Sequence, residues 1–302
     1  VMVSDPNAIS EITNRSDRSF DTASLSATLR AKMADAPDDD AALAVLRRFK
    51  QIESLRIFLR EVEDIANVRQ TTQEIAALAE SCLTVAIHEI ARRRYVPEFA
   101  NLICVLGMGK LGGRELNFSS DVDLIFIAPD EAFPQISKIE SFAKDLVSWF
   151  DLNTDDGYVF RVDLRLRPEG SAGALVPTVS TARSYYESWG RTWERSALIK
   201  ARPVGGNHAL GEDLLQSLEP FLYRKYLDYS AIDELRTMKD MIHRNAEASS
   251  LVGFEEPAKT DDAELQAQVH QVARGNLVAH ESRDLAVGEA ECLAVPQERR
   301  VD

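Results

Sequence analysis

Residues 101–127 read NLICVLGMGKLGGRELNFSSDVDLIFI, and they decide the fold that the rest of the sequence supports. An apolar, partly β-branched run at residues 102–106 has the length of a strand, and a second apolar run occupies residues 124–128. A glycine-rich turn, a polar segment and the acid pair Asp121 and Asp123 lie between the two runs. This order of strand, turn, polar segment and acid-bearing strand predicts an organised functional site.

The acid pair lies at the start of the second predicted strand. Residues two apart in a strand project to the same face, so Asp121 and Asp123 project together. Their apolar neighbours, which we expect to face the core, are Val122 and Leu124. Two adjacent carboxylates repel each other unless a cation or a proton lies between them. Because magnesium takes oxygen ligands of this kind, usually together with substrate phosphates, the pair predicts a Mg²⁺ site.

The glycines of the turn, together with one lysine, predict phosphate binding. Glycines let backbone N–H groups come close to phosphate oxygens, and Lys110 adds a positive charge. The string GMGKLGG is not a Walker A loop, because no G-K-[ST] follows at the required spacing, and an acid-bearing strand follows where dinucleotide-binding sites have a long helix. A solvated strand end or a plain turn explains either feature alone. The two features together favour a metal–phosphate site.

A second segment with chemical character, residues 158–168, reads YVFRVDLRLRP. Apolar and charged residues alternate in it, which predicts a strand whose charged face carries Arg161, Asp163, Arg165 and Arg167. An edge strand with a solvated polar face explains this pattern too. Three arginines around one acid favour instead a phosphate-binding surface with a metal-facing carboxylate, and Arg165 and Arg167 are its candidate phosphate contacts.

The motif around the acid pair resembles the signature of the nucleotidyltransferase superfamily that includes polymerase β. Gly109 and Lys110 are followed, 12 positions after Gly109, by Asp121 within the pattern S-D-h-D-h, where h is hydrophobic. Lys110 stands where serine is the commoner residue. The fuller string GMGKLGGRELNFSSDVDLIF resembles the bifunctional glutamine synthetase adenylyltransferase/adenylyl-removing enzymes, as does FRVDLRLRP.

A third segment, residues 190–202, reads GRTWERSALIKAR and is similar to a segment that lines the nucleotide side of the site in this family. A plain amphipathic helix explains its pattern equally well. Arg195, Lys200 and Arg202 are its candidate phosphate or partner contacts, and we expect Glu194 to pair with one of these cations.

The resemblance implies an α+β fold, with a polymerase β-like nucleotidyltransferase core built on a small mixed sheet and flanked by helical segments. It implies Asp121, Asp123 and Asp163 as the catalytic acids that bind Mg²⁺. The nucleotide and phosphate contacts that we expect are Gly109, Lys110, Gly112, Gly113, Ser120, Arg165, Arg167, Arg195 and Lys200.

The resemblance also implies a reaction on the AMP–tyrosine linkage of glutamine synthetase, in the regulation of nitrogen assimilation. The implied partners are glutamine synthetase, ATP or ADP, phosphate and a PII signal protein. The string GRTWERSALIKARPVGG is more similar to the N-terminal, adenylyl-removing half of the family than to the half that attaches AMP. Two alternatives remain open, namely a small-molecule nucleotidyltransferase and a catalytically incomplete fragment that binds nucleotide or glutamine synthetase. The second alternative arises because a motif of the form K-x-G-x-G-G-I-R-E-I-E-F does not follow residue 245.

Composition narrows the class of protein further. The net charge of −14 argues against non-specific nucleic-acid binding, which needs a basic surface. The sequence contains no apolar run of about 18 residues, so it predicts no membrane span. The first residues do not have the pattern of a signal peptide. Cys82, Cys104 and Cys292 are too scattered for a disulfide framework or a zinc site, so we expect a cytoplasmic protein in which the first two are buried thiols.

Along the chain, the sequence predicts a loose segment at 1–40, a helical segment at 41–100, the catalytic domain at 101–220, a helical segment at 221–250 and a divergent, disordered tail at 251–302, with no family motif from Ala246 onward. The acids at 38–40 suit a helix start, and the arginines at 92–94 suit a helix end. We expect Thr71, Thr72 and Glu74 to cap the second long helix, and the aromatic residues of a helix at 136–152 to lie in the core.

Overall fold

The structure is a computed structural model that describes residues 17–154 and 156–223, together with residues 12, 15, 237 and 240. The chain divides into two units, Val1–Tyr226 and Leu227–Asp302, and the fold described below belongs to the first. The tail expected at 251–302 and Cys292 lie outside the described residues, as does most of the helical segment expected at 221–250.

Three helices precede the sheet: α1 is Thr22–Met33, α2 is Asp39–Val62 and α3 is Val68–Arg94. Within the segment 1–40, which was expected to be loose, Thr22–Met33 form the helix α1. Leu25, Leu29 and Met33 recur at four-residue steps along α1 and are fully buried in the core. This spacing gives one apolar face, which packs on α3 and α2.

The ends of these helices follow local capping rules. The Asp38 side chain accepts a hydrogen bond from the Ala41 N–H at 2.8 Å, which confirms the predicted start of α2. The predicted cap of α3 is wrong, because α3 begins earlier, in a capping box formed by Asn67 and Gln70. The arginines at 92–94 do end α3, as predicted, and the Arg94 guanidinium pairs with carboxylates of two other helices.

A four-stranded mixed sheet follows, with strands β1 Cys104–Gly107, β2 Val122–Ile127, β3 Val162–Asp163 and β4 Arg202–Gly206. The strand order is β3-β2-β1-β4; β1 is antiparallel to β2 and β4, and β2 is parallel to β3. The α+β class with a small mixed sheet is therefore confirmed. Strand β4 was not predicted, because its sequence RPVGG has a proline and two glycines, which are poor strand formers. It lies at the edge of the sheet, where a proline is tolerated.

The remaining helices surround the sheet. Helix α4 (Gly109–Gly112) lies between β1 and β2, α5 (Ile136–Asp151) follows β2, and α6 (Val179–Trp189) and α7 (Thr192–Leu198) precede β4. Helices α8 (His208–Ser217) and α9 (Glu219–Leu222) follow β4, and short 3-10 helices lie at Pro97–Asn101, Asp130–Gln135 and Gly170–Ala172. The aromatic residues of α5 are buried in the core, as predicted: Phe142, Trp149 and Phe150.

One hydrophobic core joins the helices α1–α3 to the sheet and to α5. The packing of α3 on β4 is close, since a Cβ built on Gly205 would lie 2.8 Å from Ile87 Cδ1. Cys82 and Cys104 are buried free thiols, as predicted, and burial raises the pKa of each to about 12. None of the helices within the described residues combines the length and the apolar character of a membrane span.

Candidate active site

The sheet brings the three predicted acids together at one end of neighbouring strands. Asp123 of β2 is the Cα partner of Asp163 of β3 in the parallel pair, and Asp121 directly precedes β2. Val122 and Leu124 are buried, as the alternation predicts. The strands therefore place the carboxylates of Asp121 and Asp163, from segments about 40 residues apart in sequence, close enough to Asp123 to interact with it electrostatically.

The carboxyl group of Asp123 has a strongly shifted pKa. Burial raises its pKa to about 7, together with the nearby charges of Asp163 and Asp121, while Arg165 and Lys110 act in the opposite direction. Like charges that share a site oppose each other's ionisation, and a bound cation relieves this repulsion. The electrostatics thus create a site for positive charge.

In this structure, arginines supply that positive charge at two of the acids. Arg161 Nε donates to Asp121 Oδ1 at 2.5 Å, and both groups are about half exposed. Asp163 is nearly buried, and it accepts hydrogen bonds from the Arg165 N–H at 2.9 Å and from Arg165 Nη2 at 2.6 Å.

The three carboxylates suit a divalent cation in their chemistry but not in their present arrangement. Three carboxylates are the hard oxygen ligands that Mg²⁺ takes, so the chemistry of the donors fits. Within the described residues, however, no three His, Cys, Asp or Glu side chains are arranged to hold a metal ion. Ligation by all three acids requires the carboxylates of Asp121 and Asp163 to exchange their arginine partners for the ion.

The strand predicted for residues 158–168 is much shorter than the alternation suggests. β3 ends at Asp163, because its Oδ1 accepts the Arg165 N–H two residues on, which turns the chain. Arg167 follows in the loop and donates to the carbonyl oxygens of Leu164 at 2.8 Å and Ser171 at 3.0 Å. The prediction that Arg161, Asp163, Arg165 and Arg167 share one charged strand face is therefore wrong. Arg167 instead stabilises the loop through these hydrogen bonds.

The first residue of helix α4, Gly109, lies against the Asp123 carboxylate. Gly109 has φ +50°, and a Cβ built on it would lie 2.7 Å from Asp123 Oδ2, so only glycine fits this position without strain. The Met108 N–H donates to the Asp123 carbonyl at 2.9 Å. Lys110 Nζ lies 3.4 Å from Ser120 Oγ, so these two predicted phosphate contacts meet beside the acid pair.

The other two glycines of the predicted phosphate loop pack against protein. A Cβ on Gly112 would lie 2.2 Å from the carbonyl oxygen of Lys200 and 2.6 Å from that of Gly107, so the chain there is in close contact. Gly113 is less confined, with Lys200 Cδ at 3.0 Å from its built Cβ. The Lys200 ammonium pairs with Glu115 at 2.7 Å.

Residues 190–202 form α7 and the start of β4 rather than one amphipathic helix. The Arg195 guanidinium lies over the Phe221 ring, 5.8 Å from its centroid. The pairing expected for Glu194 is wrong, because its carboxylate accepts hydrogen bonds from Tyr185 Oη and the Arg191 N–H, each at 2.8 Å. Burial raises the pKa of Glu194, and these contacts join α6 to α7.

Two ion pairs were not predicted from the sequence. Arg161 pairs with Asp121, and Glu80 of α3 pairs with Arg202. No local signal identifies the second pair, because its members are 122 positions apart.

The chain is similar to proteins of one family. Residues 1–217 match the family model of glutamate-ammonia ligase adenylyltransferase. A bifunctional glutamine synthetase adenylyltransferase/adenylyl-removing enzyme of Pseudomonas aeruginosa is 39% identical over 289 residues, which cover 90% of this chain and 29% of that protein. A protein of the same name from Thioalkalivibrio sulfidiphilus is 42% identical over 244 residues, which cover 76% of this chain and 25% of that protein.

The similarity extends beyond the motifs named above. The family model begins at residue 1, ahead of the first family-like string at Gly107. A match to 90% of 302 residues also reaches past Ala246, where no family motif was found. The chain spans less than a third of the length of these relatives. The family model covers well over half of the chain, which therefore belongs to the glutamate-ammonia ligase adenylyltransferase family.

Proposed function

We propose that this chain is a nucleotidyltransferase domain that removes AMP from adenylylated glutamine synthetase. The supporting observation is the cluster of Asp121, Asp123 and Asp163 on two paired strands, beside Gly109. The relatives' names supply glutamine synthetase as the protein substrate and adenylyl removal as one of two activities. The sequence of residues 190–206 is more similar to the adenylyl-removing half of the family, which favours the removing direction.

In this reaction an oxygen of inorganic phosphate attacks the phosphorus of the AMP–tyrosine linkage. A new phosphorus–oxygen bond forms ADP, the bond to the tyrosine oxygen breaks, and the released tyrosine takes up a proton. Mg²⁺ held by Asp121, Asp123 and Asp163 would neutralise the charge of the reacting phosphate. In the attaching direction, the tyrosine hydroxyl would instead attack the α-phosphorus of ATP, and pyrophosphate would leave.

The chain's own residues would bind and orient the phosphates. Gly109 leaves room beside Asp123, and Lys110, with Ser120, presents a positive charge at the edge of the acid cluster. If Mg²⁺ takes their place at the carboxylates, Arg161 and Arg165 would lie close enough to the acids to bind phosphate oxygens. Regulation by a PII signal protein remains a prediction from the resemblance.

The test combines adenylylated glutamine synthetase, phosphate and Mg²⁺ with the purified chain and measures ADP release. We expect Asp121→Asn to lower the rate by roughly 100-fold or more, since metal ligation supplies several kcal/mol of transition-state stabilisation. Asp145→Asn is the matched control, because Asp145 pairs with Arg94 and Tyr95 outside the sheet.

Each result has a defined meaning. ADP release that is equal in wild type and Asp121→Asn contradicts the role of the acids. AMP attachment from ATP, without ADP release from the adenylylated substrate, reverses the proposed direction. Nucleotide binding without turnover in either direction identifies the catalytically incomplete fragment.

A further inference from the structure

Arg202, the first residue of β4, joins helix α4 to the helices that precede the sheet. Its Nε donates to the carbonyl oxygen of Gly112 at 2.9 Å, and its Nη2 donates to that of Leu111 at 3.1 Å. The same Nη2 forms an ion pair with Glu80 of α3. One guanidinium therefore connects the carbonyl end of α4 to a helix far away in the sequence.

The position of α4 depends on such contacts. A helix of four residues has too few internal hydrogen bonds to be stable alone, and its last carbonyls have no partner within it. At its other end, the Met108 N–H donates to Asp123 and Gly109 lies against the Asp123 carboxylate. α4 is thus held between Arg202 at its carbonyl end and the catalytic strand β2 at its start.

The connection continues into the helices. The Glu80 carboxylate, which is nearly buried, also accepts a hydrogen bond from Thr22 Oγ1, in the first turn of α1, at 3.3 Å. The planar fork of an arginine contacts a carboxylate and two carbonyl oxygens at once, whereas a lysine ammonium at the end of a flexible stem does not reproduce that geometry. The three contacts thus suit arginine rather than cations in general.

We propose that Arg202 is a positioning residue, which, held by Glu80, fixes α4 against Asp123 and so makes nucleotide binding depend on the helices α1 and α3. This inference rests on the proposed function in one respect, namely that α4 contacts the phosphates of the nucleotide. It assigns to the helical flank a role in the site itself, beyond burying apolar surface.

The test compares Arg202→Lys, Arg202→Ala and Glu80→Gln with wild type and with Arg94→Ala. Arg94 is a matched control, because it is also a partly exposed arginine in an ion pair, and its partners, Asp39 and Asp145, lie on helices outside the sheet. Three quantities are measured: the melting temperature, hydrogen exchange of residues 107–115, and the affinity for ADP with Mg²⁺ by calorimetry.

In Arg202→Lys and Arg202→Ala we expect hydrogen exchange in residues 107–115 to be at least about fivefold faster, because α4 loses the contacts at its carbonyl end. We expect the ADP affinity to fall about tenfold in Arg202→Ala, with a smaller loss in Arg202→Lys and Glu80→Gln. Arg94→Ala is expected to lower the melting temperature while exchange in α4 and the ADP affinity stay at wild-type values.

Two results overturn the inference. In one, exchange in residues 107–115 is unchanged in the Arg202 variants, which makes Arg202 an ordinary stabilising contact. In the other, exchange is faster but the ADP affinity is unchanged, which separates α4 from binding. A wild-type chain that binds no ADP, with faster exchange in the Arg202 variants, leaves the positioning of α4 in place and contradicts the proposed function.

Discussion

Asp123 is the residue at which folding and function compete most directly. Burial and the charges of Asp163 and Asp121 raise its pKa to about 7, from about 3.9 in an unfolded chain. A carboxyl group with a raised pKa favours the folded state when it is protonated. Its contribution to stability is therefore fully present below about pH 4 and is lost as the pH rises to about 7.

Asp123→Asn removes this cost. We expect the metal-free variant to be more stable than wild type at pH 8 by on the order of 1 kcal/mol or more, and little changed near pH 4. Urea unfolding at the two pH values measures the difference. We also expect Mg²⁺ to raise the melting temperature of the wild type but not that of the variant.

The control for this variant is Asp145→Asn, which removes an exposed ion pair with Arg94 and should show no gain at pH 8. A variant of Asp123 that is no more stable than wild type at pH 8 contradicts the electrostatic account of the site.

At the scale of the element, helix α4 is confined by backbone on one side. The neighbours of Gly112 are carbonyl oxygens of Lys200 and Gly107, which cannot move without shifting β4 or β1. The neighbour of Gly113 is the Lys200 side chain, which is flexible. An added methyl group is therefore expected to lower the free energy of unfolding more at Gly112 than at Gly113.

Gly112→Ala is expected to destabilise the protein by about 2 to 3 kcal/mol, because the added carbon forces the backbone apart. Gly113→Ala, with a smaller steric conflict and an ordinary φ of −75°, is expected to cost less than about 1 kcal/mol. Urea unfolding measures both. Equal losses in the two variants would show that confinement by backbone does not control the position of α4.

At the scale of the molecule, a buried ionic cluster joins the chain before α1 to α2 and α3. Glu53 pairs with Arg15 and Arg56, and Glu74 pairs with Arg56 and Arg60. The Arg56 side chain is almost completely buried and also donates to the carbonyl oxygen of Arg18 at 2.8 Å. Sequence periodicity places apolar residues in the core but does not predict this cluster within it.

Arg56→Ala leaves two buried carboxylates without their shared partner, and we expect it to cost about 3 to 5 kcal/mol. Arg92→Ala is the control, because Arg92 is mostly exposed and its pair with Glu89 is worth at most about 1 kcal/mol. The free energy of unfolding in urea distinguishes the two. A loss below that of Arg92→Ala would mean that the cluster contributes no net stability.

Residues close together in the sequence account for most of what could be predicted. The apolar runs of β1 and β2, the acid pair two positions apart, the start of α2 at Asp38 and the buried aromatic face of α5 all depend on neighbours within a few positions. The alternation of apolar and charged residues predicted a longer β3 than the structure has. Another local feature explains this, because the Asp163 side chain accepts the Arg165 N–H and turns the chain there.

The sequence alone thus determined the α+β class and the family, because apolar runs and motif strings are local properties, and it predicts Asp121, Asp123 and Asp163 as the acids of the site. Only the tertiary structure decided that RPVGG is an edge strand, that Gly112 packs on Lys200, and that Arg202 holds α4 to Glu80. These features arise from contacts between residues about 90 to 120 positions apart, whose distance in space depends on how the whole sheet and its helices pack.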